Sequence, residues 1–223
     1  MAEVKLFAPG AFRARRARAI TAEDYAELAQ NHPQLQRAAA QLRWMGSWYE
    51  AYVAIDPLYT ETADTGLVDA IAGDLFKYRR MGHDLAVVPA RYVPIDVSLE
   101  VCVLPDYARG AVKAELLKLL GSRRLVDGRL GFFHPDNLSF GTGVYVSRLI
   151  AAAKRVAGVD SVRLLKLVRL DYSAAARLAP AGANARVPGS GVLPMAAMEI
   201  AQLDNDPNFP ENGKLDLILR GGL

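Results

Sequence analysis

The sequence predicts an α+β fold: two small stacked α/β units with antiparallel or mixed sheets. Three observations carry this. Residues 36–56 read as a β-hairpin around Gly46-Ser47, a two-residue turn with glycine first. Val93, Ile95, Val97, Leu99, Val101 and Val103 fill every odd position of one stretch, the period of a strand with one buried face. Segments with helical spacing lie before and after both. The expected division is a basic N-terminal arm at 1–20, a first α+β unit at 21–92, a second at 93–172, a loop at 173–191 and a C-terminal strand segment at 192–223. The 223 residues are 52% hydrophobic and 23% charged, enough to bury a core and too apolar for wholesale disorder.

Thr21 opens the first element. Thr-Ala-Glu-Asp is a capping-box pattern, so a helix is expected from Ala22 to about Gln30. Asn31-His32-Pro33 ends it, because the residue before proline disfavours helix. His32 has no base or nucleophile near it in sequence and reads as structural. In the hairpin, opposite residues should sum to 93. Trp44 then faces Tyr49, Arg43 faces Glu50 and Leu42 faces Ala51. One face collects Leu42, Ala40, Ala51, Val53 and Ile55 with Trp44 and Tyr49, and is expected to be core. The other carries Met45, Gln41, Trp48 and Tyr52 with the opposite-charge pair Arg43 and Glu50.

Leu67, Val68, Ile71, Leu75 and Tyr78 predict a helix stopped by Gly82. Its basic tail, Lys77, Arg79 and Arg80, suits the negative end of the helix dipole. The strand at 93–103 should reach about 40 Å. Arg109–Leu120 is a helix with Val112, Leu116, Leu119 and Leu120 inward and Gly121 at the C′ position. Val144–Ala157 is another, with Tyr145, Leu149, Ile150, Ala153 and Val156 apolar and Gly158 as its stop. Val159–Asp171 is a strand alternating Val162, Leu164, Val168 and Leu170. Residues 173–191, rich in Ala, Gly, Pro and Ser, read as loop. Leu215, Leu217 and Leu219 mark a last strand.

Composition excludes several function classes. One cysteine, Cys102, gives no disulfide framework and no Cys-rich zinc site, and fits folding in a reducing, intracellular compartment. No apolar run reaches the ~18 residues that cross a bilayer. The net charge is +3, unevenly placed. Residues 1–20 hold Lys5, Arg13, Arg15, Arg16 and Arg18 against Glu3, so the arm is +4 and the remainder −1. A nucleic-acid binder spreads its cations over a face; an isolated cluster before a helix reads as a docking site for an acidic protein partner.

Three short motifs resemble functional signatures. His134-Pro135-Asp136 occurs in certain co-chaperone domains between long helices, but here it sits in a turn-rich loop. As a His–Asp pair it lacks a nucleophile. Gly141-Thr142-Gly143 has no framing strand with a third glycine, so it reads as a helix-entry turn. Asp204-Asn205-Asp206-Pro207-Asn208 imitates a calcium loop, but Phe209 replaces its glycine and Leu215 stands where the bidentate Glu belongs. It reads as an ordered turn, with Phe209 plugging it onto the core. No catalytic, cofactor or metal residues are expected. The interaction candidates are Arg13, Arg15, Arg16, Arg18, Arg43, Trp48, Glu50 and Tyr52.

Five stretches together carry a family resemblance. In chain order they are ITAEDYAELAQNHP, LRWMGSWYEAYVAID, FKYRRMGHDLAVVPARYVPIDVSLEV, FFHPDNLSFGTGVYVSRLIAAAKRVAGVDSVRLLKL and MEIAQLDNDPNFPENGKLDLIL. From about Leu6 to Leu219 the sequence resembles the baseplate J-like family of baseplate assembly proteins. Members are usually longer, with domains before this region, and the chain corresponds to their last portion. The resemblance implies a wedge subunit of a contractile phage tail or contractile injection system. Such a subunit works by protein–protein assembly, without catalysis and without a cofactor. Its partners would be other wedge subunits, a second copy or a paralogous wedge protein, with no nucleic acid and no membrane. It would assemble in the cytoplasm and end in the particle. The alternatives are a hydrolase using His134 and Asp136, and a nucleic-acid module using Arg13–Arg18.

Overall fold

The computed structural model describes residues 18–60, 62–170 and 187–223. Arg13, Arg15 and Arg16, and most of the 173–191 loop, lie outside the described residues. The chain divides between Arg91 and Tyr92 into two compact units, each of mixed α and β structure.

The first unit runs α1 (Ala22–Gln30), β1 (Leu35–Trp44), β2 (Tyr49–Pro57), α2 (Thr65–Tyr78) and β3 (His83–Pro89). The capping box forms as expected. The Asp24 backbone N–H donates to Thr21 Oγ1 at 3.3 Å, and the Thr21 N–H donates to the Asp24 carboxylate at 3.0 Å. The hairpin register holds from Trp44 opposite Tyr49 to Arg37 opposite Asp56, with a bulge between Leu35 and Arg37. Gly46 takes the turn at φ +100°, where a side chain would be strained. The strand β3 is a finding beyond the sequence reading. It pairs parallel with β2, His83 opposite Tyr49 through Pro89 opposite Ile55. The order β1-β2-β3 makes β2–α2–β3 a crossover unit.

Helix α2 ends at Tyr78, with Arg79 already extended at ψ 136°. Only Lys77 therefore lies in its last turn, and Arg79 and Arg80 lie beyond the helix. Gly82, at φ +86°, turns the chain into β3 rather than capping the helix. The core joins Tyr25 and Ala29 of α1, Ile71 and Leu75 of α2, and Ala51, Val53 and Ile55 of β2. Both helices thus close on one face of the sheet, the face that carries Ala51, Val53 and Ile55 of β2, while Ala54 and Asp56 on its other face are buried as well.

The second unit contains β4 (Arg91–Val103), α3 (Arg109–Leu120), β5 (Val144–Tyr145), α4 (Val146–Ala153), β6 (Val159–Arg169), β7 (Val192–Leu193), β8 (Glu199–Gln202) and β9 (Lys214–Gly221). Strand β4 is its spine. β6 pairs with it antiparallel, β9 pairs parallel, and β8 also joins it. Its odd positions from Val93 to Val103 are all buried. Its even face is polar: Asp96 pairs with Lys166 and Glu100 with Arg220.

Four details depart from the sequence reading. Val144 and Tyr145 pair with Leu193 and Val192 as a short ladder, so α4 starts two residues late, ends at Ala153, and leaves Tyr145 exposed. Gly121 is extended at φ −75°, not left-handed. Its reason for being glycine is close packing, since a Cβ there would lie 2.8 Å from the Leu117 carbonyl oxygen. Leu119 is half-buried while Val112, Leu116 and Leu120 are buried. In β6 the register skips Leu165: Ser98 faces Lys166 but Leu99 faces Leu164. That bulge reverses the side-chain phase. The inward set becomes Val162, Leu164 and Leu167, and Leu167 is fully buried where Val168 was expected.

One ion pair ties the far end of β6 to β8. Two Arg169 guanidinium nitrogens donate to the two Glu199 carboxylate oxygens, each at 2.9 Å. The Ala196 backbone N–H donates to the same carboxylate at 2.9 Å. Glu199 is 5% exposed, so its charge is balanced inside the fold, as a buried carboxylate requires.

Candidate functional site

The strongest candidate surface follows from a mismatch of lengths in the first unit. Helix α1 has nine residues and strand β1 ten. At about 1.5 Å per helical residue and 3.3 Å per strand residue, that is ~14 Å of helix beside ~33 Å of strand. The longer α2, with fourteen residues, reaches only ~21 Å. The hairpin therefore runs past its cover, and its tip is wet on both faces. Trp44 is 58% exposed and Trp48 49%. The expectation that Trp44 is buried and Trp48 the more exposed is overturned. The expected core face is buried where the helices lie above it, at Ala51, Val53 and Ile55.

The exposed tip is ordered by specific contacts. Trp44 and Tyr49, opposite each other, meet edge-on at 5.0 Å between ring centroids. Tyr49 lies 6.1 Å from the His83 ring, and His83 stacks on Tyr25 at 6.4 Å. The Tyr25 hydroxyl accepts from the Arg80 backbone N–H at 3.2 Å and sits 3.4 Å from His83 Nδ1. A neutral His83 can accept there. Burial pushes the His83 pKa below its ordinary value, and the nearby Arg80 charge adds to this. Trp48 Nε1 donates to the Asp84 carboxylate at 2.8 Å. Arg79 donates to the His83 carbonyl at 2.8 Å and lies over the Phe76 ring at 4.2 Å. Arg43 lies over the Tyr52 ring at 3.4 Å, with Glu50 opposite it across the ladder.

Arg43, Trp48, Glu50 and Tyr52 are thus brought together on the hairpin. Arg18 is exposed, and its neighbour Ala19 donates its N–H to the Tyr78 carbonyl at 2.8 Å, which sets Arg18 beside the end of α2. Met45 is exposed, as its outer-face position predicts; Tyr49, expected in the core, is exposed too, and so are Phe76 and Met81, which the sequence reading did not single out. Exposed Trp, Tyr, Met and Arg in one place is the composition of a protein-binding surface. The available signal was the nine-residue helix beside the ten-residue strand.

The other motifs have structural duties. His134 Nδ1 accepts the Asp136 backbone N–H at 3.1 Å, capping the 3₁₀ turn Pro135–Asn137. Gly141 donates its N–H to the Glu199 carbonyl at 2.9 Å. The 204–213 loop is internally bonded: Asn208 N–H to Asp206 Oδ1 at 2.8 Å, Asn212 Nδ2 to Asp204 Oδ2 at 3.1 Å, and Leu215 N–H to Asn205 Oδ1 at 2.9 Å. Phe209, however, is 54% exposed and does not plug the loop onto the core. The loop holds itself through Asx bonds and needs no apolar anchor. Among the described residues no three His, Cys, Asp or Glu side chains gather closely enough to hold a metal ion. Among them, too, no helix is long and apolar enough to cross a membrane.

Comparison with known proteins points to the same unit. Residues 17–88 match the Baseplate J-like central domain, a span that covers α1, β1, β2, α2 and all but the last residue of β3. No curated protein matches the chain. Among solved structures, it is similar to a chain of the anti-feeding prophage (AFP) baseplate, determined by cryo-EM with six-fold symmetrisation, at 18% identity and a TM-score of 0.52. That likeness covers 76% of this chain and 38% of the other, and it is a likeness of fold. The match to the Baseplate J-like central domain thus lies in the first unit, and over 76% of the chain the fold is like that of one chain of the AFP baseplate.

Proposed function

We propose that this protein is a structural subunit of the baseplate of a contractile tail or injection system, of the wedge type, acting by protein–protein assembly and not by catalysis. The observation that carries the reading is the Baseplate J-like central domain at residues 17–88. The exposed aromatic tip of the matched segment supports it, as does the use of His134 Nδ1 as a turn cap on the Asp136 backbone N–H. The partners are other wedge subunits, a paralogous wedge protein or a second copy of this chain, and the protein assembles in the cytoplasm before it joins the particle. Trp44, Trp48 and Tyr49 are the anchors, with Arg43, Glu50 and Tyr52 beside them. Arg13, Arg15, Arg16 and Arg18 supply a basic arm for acidic patches on a neighbour.

Co-expression with the baseplate subunits encoded beside it tests this. The wild-type chain co-purifies with at least one of them as a complex of fixed stoichiometry. The double variant W44A/W48A, folded by circular dichroism, dissociates. Failure of the wild-type chain to bind any baseplate subunit refutes the function, and an intact complex with the double variant refutes the surface.

A further inference from the structure

We propose that a groove in the second unit docks an acidic protein segment carrying apolar anchor residues. The proposal rests on that unit alone and is independent of the hairpin surface. The groove lies between the C-terminal ends of α3 and α4 and two loops, around Arg123–Arg129 and Asp204–Phe209. Its volume is about 1360 Å³, above the ~300–1,000 Å³ of small-molecule sites, so a stretch of polypeptide fits it better than a metabolite.

Charge and surface chemistry select the occupant. Two of the cations in the groove wall are neutralised locally, Lys118 by Glu115 at 2.7 Å and Arg129 by Asp127 at 2.6 Å. Arg123, Arg124 and Arg155 are exposed and have no carboxylate within ion-pair distance among the described residues. Asp204 and Asp206 on the opposite wall accept from Asn212 and Asn208 within their own loop and keep their charge, so the basic side of the groove is the one that carries Arg123, Arg124 and Arg155. Three guanidiniums, each with a fork of donors, therefore remain open, and carboxylates are their complement. Between them the groove presents apolar surface that nothing covers. Val126 stands free at the tip of its loop and Phe209 is 54% exposed on the facing one, while Leu117 and Val156 are half-buried in the floor. Arg with an aromatic and aliphatic anchor site is the pattern of an interface hot spot. A partner segment that alternates acidic with apolar side chains satisfies both sets at once.

The test uses the full chain and a fluorescein-labelled synthetic peptide built of Glu and Leu with the leucines at helical spacing. Anisotropy titration is expected to show saturable binding that weakens at least about tenfold in the triple variant R123E/R124E/R155E. The milder R123Q/R124Q/R155Q variant falls between, which guards against a folding defect in the reversal variant. A Lys/Leu peptide does not bind, and a Glu/Ser peptide binds more weakly than Glu/Leu. Equal binding to wild type and the reversal variant, equal binding of the Lys/Leu peptide, or no binding at about 1 mM peptide overturns the proposal. So does a concentration-dependent dimer that the same substitutions disperse and the peptide fails to displace, since the occupant is then a second copy.

Discussion

Replacing Glu199 by Ala removes the acceptor of three hydrogen bonds at once. Two come from Arg169 and one from the Ala196 N–H, all at 2.9 Å. Glu199 is 5% exposed, and the Arg169 side chain 26%. Breaking a buried pair by deleting one partner costs about 3–5 kcal/mol, because the survivor keeps its desolvation penalty. Arg169 retains some solvent and further contacts, which places the expected loss near the lower end, about 3 kcal/mol. For a unit of this size that is a fall of ~10 °C in melting temperature. Glu199→Gln keeps one acceptor oxygen but no charge, and loses about half as much. Urea unfolding followed by far-UV circular dichroism reads both. Both tryptophans of the chain, Trp44 and Trp48, lie in the first unit, so tryptophan fluorescence reports that unit separately. A loss under about 1 kcal/mol for Glu199→Ala would show that the pair is a passive contact and that β8 is held by its ladder alone.

Other expectations follow from single contacts. Trp44→Ala loses at most about 2 kcal/mol, since a ring 58% exposed buries only ~85 Å² at ~25 cal/mol/Å²; a urea-melt loss of 4 kcal/mol or so would mean a covered site. Gly158→Ala destabilises by well over 1 kcal/mol, because φ is +89° and the new Cβ meets the Tyr107 ring at 2.5 Å; a thermal melt like wild type contradicts the packing. For His83, the folded pKa lies below the unfolded one, so the unfolded chain binds more protons as the pH falls. Stability of the first unit is fully present above the unfolded value near 6.5 and declines as pH drops below it. Urea melts by tryptophan fluorescence between about pH 7.5 and 5.5 should show that decline, and His83→Phe should flatten it. A flat wild-type profile refutes the buried neutral imidazole.

Much of the fold is local and was therefore legible. Thr21 and Asp24 lie three residues apart, so a capping box needs nothing beyond its own turn. The hairpin register follows from a two-residue turn, because a short loop leaves one antiparallel alignment. The odd-position pattern of β4 identifies a buried strand face whatever its neighbours are. The family resemblance drew on the same local runs. What the tertiary structure decided is long-range. Strand β3 has seven residues with graded burial, so it carries no clean alternation, and its parallel pairing with β2 is set by the α2 crossover. The skipped Leu165 in β6 costs no residue pattern of its own and shows only against β4. The exposure of Trp44 depends on where α1 and α2 stop above the sheet. Alternation tells which face a side chain takes; it does not tell how far the covering layer extends. The groove flanked by Arg123, Arg124 and Arg155 lies beyond sequence reasoning for the same reason. It is framed by loops some eighty residues apart, brought together only when α3, α4 and the strands around β4 have packed.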